Sequence, residues 1–342
     1  MELKDLLTSL NEQQRKAVQT VDGPLLILAG AGTGKTRTLV YRLAYITAGA
    51  GIPPTKLLAI TFTAKAAEEM RARVSSLCLS GVDLSSIWIG TMHALCHEIL
   101  HSYGSMINLC NDFEIISPPD RMAIIKSLAK DFFNATPSGS IKKYGLQITH
   151  EKNSVQAYEQ LSPFCRAYQE RLASKGLLDF DDLILKTLEL FRKIPGCSEK
   201  LKDRFTHISV DEYQDINFTQ YCLIRSLCSS PPNLCVVGDA DQAIYAFRGG
   251  RVENFLSFQN DFPSAALLHL EENYRSTETI ISAARQVIEK NTKRIAARLL
   301  STRPGGAAIE IRETPDDQQE ALFVAREIER MLGGTRFETL SH

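Results

Sequence analysis

The chain has no strong charge of one sign. Its 39 lysines and arginines meet 40 aspartates and glutamates, for a formal net charge of −1 over 342 residues. Proteins that hold nucleic acid over a broad face tend to be basic overall. Any basic groove here must be local. No apolar run reaches the roughly 18 residues needed to span a bilayer. The charged opening "MELKDLLTSLNEQQRKAV" has no apolar core of the kind a signal peptide carries. The eight cysteines form no C-x-x-C pair. That spacing argues against a disulfide framework or a zinc site, and for a reducing, cytoplasmic setting. Internal repeats and low-complexity tracts are also missing.

What remains is ordinary for a soluble protein, 44% hydrophobic and 23% charged. The length suggests two or three domains. Short apolar stretches without alternation read as buried strands: "PLLILA" (24–29), "KLLAITF" (56–62), "IWIGT" (87–91), "HISVDE" (207–212), "NLCVVGD" (233–239) and "AALLHL" (265–270). Amphipathic helices are predicted between them, over Lys35 to Ala48 and "AKAAEEMRARVSSL" among others. The pattern predicts an α/β fold with a parallel sheet covered on both faces. From Met92 to about Phe205 no comparable strand is visible, and the segment reads as a mainly helical insertion. "NATPSGSIKKYG" (134–145) reads as a loop within it. Beyond Thr277 the spacing predicts a helix, then a strand at "AAIEIRE" (307–313), then a helix at "DDQQEALFVAREIERML".

The stretch "LLILAGAGTGKTRTL" (25–39) runs from strand into small residues, then a lysine, a threonine and an amphipathic run. In such a strand–loop–helix the backbone N–H groups of Ala31, Gly32, Thr33 and Gly34 point at phosphate oxygens. Lys35 reaches the β- and γ-phosphates and the Thr36 hydroxyl ligates Mg²⁺. Ala29 stands where the usual pattern has glycine, which a strand end with negative φ tolerates. The competing reading is a small-residue turn with a chance lysine. A Mg²⁺ site also needs carboxylate, and "HISVDEYQD" delivers Asp211 and Glu212 at a strand's carboxyl end. Asp211 suits the metal, and Glu212 suits orienting and deprotonating the attacking water. A solvated strand end is the plainer alternative for the pair.

Taken in order, these stretches resemble the N-terminal part of a superfamily 1A DNA helicase of the UvrD/Rep/PcrA type. "LNEQQRKAV" resembles the family's Q motif, "AGAGTGKT" motif I, "AITFTAKAAEEM" motif Ia and "GTMHAL" motif Ib. "LLDFDDL" (177–183) resembles a family motif of the helical insertion. "VDEYQDIN", "VVGDADQAIYAFRGG" and "LEENYRST" resemble motifs II, III and IV. The resemblance implies a RecA-like ATP-binding domain over 1–91 and 206–280, a helical subdomain over 92–205, and the start of a second RecA-like domain over 281–342.

It also implies roles. Gln14 would read the adenine edge, and Arg37 and Tyr274 would sandwich the ring. Gln242 would sense the γ-phosphate, and Arg275 would contact it as an arginine supplied in cis. Phe62, Tyr245 and Phe247 would stack on single-stranded bases, each worth about 1–3 kcal/mol. Thr63, Thr91, His93 and Arg248 would contact the DNA backbone. Phe62 and Phe247 also read as core residues if the motifs are set aside. His93 and His97 lie four apart on a helix, a possible metal pair with no third ligand in view. Asp179, Asp181 and Asp182 read as a helix cap rather than a second metal site.

The implied activity is 3′-to-5′ translocation on single-stranded DNA and unwinding at single-strand/duplex junctions, driven by ATP with Mg²⁺. No segment resembles motifs V and VI, so the chain is expected to be the N-terminal part of a longer protein. Other readings are a helicase–nuclease subunit of the RecB/AddA kind, a P-loop kinase or switch, a catalytically silent DNA-binding subunit, and an RNA helicase of superfamily 1.

Overall fold

The computed structural model describes residues 3–77, 79, 81–110, 112–133, 138–155, 157–245, 249–250, 252–291 and 298–333. In chain order the strands are β1 (Leu25–Ala29), β2 (Leu57–Thr61), β3 (Trp88–Thr91), β4 (Glu114–Ile115), β5 (Leu177–Leu178), β6 (His207–Val210), β7 (Leu234–Gly238), β8 (Ala266–Leu270), β9 (Glu272–Thr277) and β10 (Leu300–Arg303). Six of them form one sheet in the order β3-β2-β6-β7-β1-β8. Every neighbouring pair in it is parallel. All six strands expected from the apolar runs are present.

The strands lack polar alternation because both faces are covered. Leu26, Leu28, Leu58 and Ile60 enter one core, while Leu25, Ile27, Leu57 and Ala59 enter the other. Parallel strands place all their carboxyl ends on one edge. The loop 30–34, Phe62 and Thr63, Met92 and His93, 211–215, and 239–242 therefore emerge together.

The segment 92–205 is mainly helical, and its described strand pairing is the two-residue β4–β5 contact. It is not a free-standing body. Helices Met92–Tyr103 and Phe180–Lys193 send Leu95, Ile99, Leu183 and Leu188 into the core on one face of the main sheet. A smaller core of Ile125, Leu128, Ile148, Phe164 and Tyr168 fills the outer part.

Two sequence expectations fail. The stretch 134–145 was expected to be a loop, yet a helix runs Ser138–Lys152, with 134–137 outside the described residues. Ile141, Tyr144 and Ile148 sit three and four apart and pack on the outer core. That burial overrides the weak propensity of serine and glycine. The strand expected at 307–313 does not form. β9 pairs instead with β10, and Ile309 and Ile311 stay 54% and 94% exposed. An alternating pattern makes a strand only where an edge receives it. The helices Glu278–Ile288 and Asp317–Met331 form as expected, but no residue of the latter is buried.

Asp179 caps helix Phe180–Lys193 in a reciprocal box with Asp182, as its sequence position suggested. The two carboxylates also hold Lys152, which has no exposed surface, at 2.5 and 2.7 Å. Burial alone would push the Lys152 ammonium down, but Asp179 and Asp182 outweigh it and hold it above its ordinary value. The Tyr168 hydroxyl donates to Asp179 and the Tyr158 hydroxyl to Asp182, so the carboxylates are further satisfied. Removing Lys152 leaves buried Asp182 without its cation and Asp179 with only Arg121, at 3.8 Å, a loss of about 3–5 kcal/mol. Lys152→Ala is expected to lower the unfolding free energy in urea by that amount. Lys16→Ala, at an exposed helical pair with Glu12, is expected to leave it nearly unchanged.

Candidate nucleotide-binding site

β1 ends at Ala29, and helix Lys35–Ala48 begins five residues after the turn opens at Gly30. Ala29 is a strand residue, buried, so the missing glycine asks nothing unusual of the backbone. The demanding positions are Gly32 at φ 74° and Gly34 at φ 87°. A Cβ on Gly32 would lie 2.7 Å from both Arg275 Cβ and Asn273 Nδ2, and one on Gly34 would lie 2.8 Å from Gln14 Nε2. The loop is thus clamped from two sides by side chains remote in sequence.

One clamp is Gln14. It closes the capping box of helix Glu12–Gln19 with Asn11, and its Nε2 donates to the Thr33 carbonyl at 3.0 Å. The other clamp is Asn273 on β9. Its Nδ2 donates to the Ala31 carbonyl at 2.5 Å, and its Oδ1 accepts from the Arg275 and Ser276 amides. The Tyr274 amide adds a bond to the Gly32 carbonyl. Thr33, fully buried, ties its hydroxyl to the Gly30 carbonyl.

Beyond β6, Glu212 has φ 50° and ψ 44°, a left-handed conformation costly for a residue with a Cβ. There its carboxylate meets the Lys35 ammonium at 2.9 Å. The same oxygen, Oε2, accepts from Gln214 Nε2 at 2.9 Å. Asp211 lies behind, its Oδ1 accepting from the Glu212 amide. Burial and the Glu212 charge push the Asp211 carboxyl up to about 6, with Lys35 pulling the other way. Burial and Glu212 do the same to Asp215, which also stands at about 6.

A cleft of about 380 Å³ gathers Gly30, Ala31, Gly32, Gly34, Lys35, Thr36, Arg37, Glu212, Gln242, Tyr274 and Arg275. Ten of these are sites anticipated from the sequence, Gly30 is their neighbour in the loop, and Arg73 joins them unannounced. Arg37 and Tyr274 both face the cleft, although Arg37 lies over Tyr41 and donates to Ser9. Gln14 does not line it, since its amide is occupied by Thr33 and Asn11. Asp211 lines a second cavity, of about 560 Å³, rather than the cleft that holds Thr36. The two intended metal ligands therefore face different spaces here.

That second cavity collects Phe62, Thr63, His93, Asp181, Asp211, Asp215 and Asn217. Thr63 and Thr91 use their hydroxyls to cap the helices Ala64–Ser76 and Met92–Tyr103. Burial pushes the His93 imidazole down, and its ring meets Phe180 edge-on at 6.0 Å. Phe62 and Tyr245 stack on each other at 5.0 Å. Phe62 is therefore not a core residue. Phe247 and Arg248 lie outside the described residues.

A family model described as the UvrD/REP helicase N-terminal domain matches residues 10–263. The chain belongs to the UvrD/Rep helicase family. A second model, the UvrD-like helicase C-terminal domain, matches residues 268–341. The chain is also similar to the ATP-dependent DNA helicase PcrA of Staphylococcus epidermidis, 39% identical over 94% of this chain and 46% of that protein. The Staphylococcus aureus protein of the same name is 40% identical with the same coverage. The chain thus spans about half the length of the curated relatives it matches.

In this UvrD/Rep member three participants were missed from the sequence: Asn273, Gln214 and Arg73. Asn273 is a polar residue inside a quoted motif whose buried amide only the fold brings to the loop after β1, and Gln214, in the loop after β6, meets the Asp239 amide only once β7 lies beside β6. Asn273 is 1% exposed, and an unsatisfied buried group costs about 1–3 kcal/mol. Asn273→Ala is expected to destabilise the chain by that much. It should also shrink the thermal stabilisation that Mg²⁺·ATP confers on the wild type, which differential scanning fluorimetry reads directly.

Proposed function

We propose that the cleft binds ATP with Mg²⁺ and that the protein to which this sequence belongs is an ATP-dependent 3′-to-5′ DNA translocase and helicase. The observation carrying this is the convergence of Lys35, Thr36, Glu212, Gln242 and Arg275 on one cleft beside a glycine loop at a helix N-terminus. Catalytic turnover needs these five groups around one reacting phosphate. The hydroxyl of Thr36 and the carboxylates of Asp211 and Glu212 are hard oxygen donors, the set Mg²⁺ prefers. Asp211 would serve the metal after a side-chain rotation or through water. Mg²⁺, when bound, would neutralise charge on the β- and γ-oxygens.

The chain's own groups do the rest. The backbone N–H groups of Ala31, Gly32, Thr33 and Gly34 cradle the phosphates. Lys35 leaves Glu212 for the β- and γ-oxygens, and the freed carboxylate orients a water and takes its proton. The water oxygen bonds the γ-phosphorus as the bond to the bridging oxygen breaks, leaving ADP and phosphate. Arg275 meets the charge that develops, and Gln242 senses the γ-phosphate. Arg37 and Tyr274 flank the adenine, and Gln14 holds the loop near its edge.

On the DNA side, Phe62 and Tyr245 would exchange their mutual stack for stacks on bases. Phe247 would add a third ring. Thr63, Thr91, His93 and Arg248 would contact the backbone. The partners are single-stranded DNA and single-strand/duplex junctions, in the cytoplasm. The domain division proposed is 1–91 with 206–280, the insertion 92–205, and the start of a second RecA-like unit over 281–342.

This chain alone is expected to bind Mg²⁺·ATP weakly, hydrolyse it poorly and leave duplexes paired. A robust DNA-stimulated ATPase rate from it would overturn that reading. Lys35→Ala is expected to weaken Mg²⁺·ATP binding at least about tenfold, since a charged hydrogen bond is worth about 1.5–3 kcal/mol. Titration with a fluorescent ATP analogue checks it. In the longer protein the same change should abolish unwinding.

A further inference from the structure

Gln214, 2% exposed, lies between the two cavities. Its Nε2 donates to Glu212 Oε2 at 2.9 Å, in the phosphate cleft, and to Asp215 Oδ2 at 3.1 Å, in the wall of the second cavity. Its Oε1 accepts from the Asp239 amide at 3.0 Å. Asp239 in turn accepts from Gln242 Nε2 at 2.6 Å. A single amide therefore joins the loops after β6 and β7 and touches both clefts. The fold reserves space for it, because a Cβ on Gly238 would run into Gln214 Oε1.

We propose that Gln214 is a positioning residue that couples the two clefts, so that filling the phosphate cleft changes how firmly Asp215 is held at the DNA-side cavity. The inference rests on the ATP and DNA reading above. Its physical basis is that one nitrogen carries both bonds, one hydrogen to each carboxylate, so a pull on one side displaces it from the other. Glu212 Oε2 is shared by Lys35 and Gln214. Phosphates that draw Lys35 away leave the charged Glu212 oxygen to Gln214 alone, a charge-assisted hydrogen bond no longer shared with an ammonium. Nε2 is then drawn toward Glu212 and away from Asp215. Asp215 has no second anchor: its Oδ1 is buried without a hydrogen-bond partner among the described residues. Losing Gln214 leaves a buried carboxylate without its bond, a cost that favours a different side-chain position where the cavity gives room. Its wall is shared with Phe62, Thr63 and His93, so the shift falls where single-stranded DNA is read. Linkage makes the effect reciprocal: DNA that moves Asp215 alters the hold on Glu212.

The test measures one ratio on the full chain. A fluorescein-labelled oligo-dT is titrated by anisotropy with and without Mg²⁺ and adenylyl imidodiphosphate, a non-hydrolysable ATP analogue. In the wild type the two dissociation constants are expected to differ about fivefold or more, the usual size of such coupling. In Gln214→Met, close in volume but without hydrogen bonds, the ratio should fall to about one, however the separate affinities move. Asp215→Asn, which keeps the shape and removes the charge at the far end, should reduce it likewise and serves if the first variant melts below the assay temperature. A wild-type ratio in either folded variant overturns the proposal, as does a wild-type ratio of one when both ligands bind. If the wild type binds neither ligand, the ATP and DNA reading itself fails and the coupling falls with it.

Discussion

One carboxylate oxygen, Glu212 Oε2, organises this site. It takes the Lys35 ammonium from the loop after β1 and the Gln214 amide from the loop after β6. Those two strands are not neighbours: β7 lies between them in the sheet. The contact therefore ties loops across two strand spacings. It depends on Glu212 adopting a left-handed backbone, a strain of about 1–2 kcal/mol for a residue with a Cβ. Strain of this kind persists only where the surroundings over-determine it. Here they do, through the Asp211 carboxylate on the Glu212 amide and the Asp215 amide on the Glu212 carbonyl.

The phosphate loop is held in the same spirit, from outside. Gln14 and Asn273 come from opposite ends of the chain and each takes one loop carbonyl. Both side chains take loop carbonyls and leave the loop amides uncontested by them, the arrangement an anion site needs. Gln14 also holds the loop in place. An amide suited to an adenine edge is instead occupied with Thr33 and Asn11. Its contribution in this structure is to the shape of the loop.

Much of this was legible in the sequence, and the reason is local. Buried parallel strands carry their signature in consecutive residues, as "LLILA" and "LCVVG" do. A phosphate loop is likewise a contiguous object, so Lys35 and Thr36 could be placed before any fold was known. What could not be read was pairing at a distance. "AAIEIRE" alternates as a strand should, but β9 took β10 as its neighbour. Serine and glycine at 138–145 suggested a loop, while the helix there is secured by Ile148 packing among residues more than ten positions away, such as Phe164. Gln214 is a polar residue between Tyr213 and Asp215 whose bond to the Asp239 amide exists only once β6 and β7 are side by side.

The placement of Asp211 and Glu212 carries the last step. On an ideal strand two adjacent carboxylates face opposite sides, and the sequence assigned them a metal and a water on that basis. The structure separates them further, with Glu212 in the phosphate cleft and Asp211 in the neighbouring cavity. Asp211 also shares that cavity with Asp181 and Asp215, and burial raises all three carboxyls to about 6. Carboxylates gathered this closely repel one another when all are charged. Gln214, with one amide shared between Glu212 and Asp215, gives each of those carboxylates a hydrogen bond where the two cavities adjoin. The same side chain thus links the walls of the two cavities within one fold.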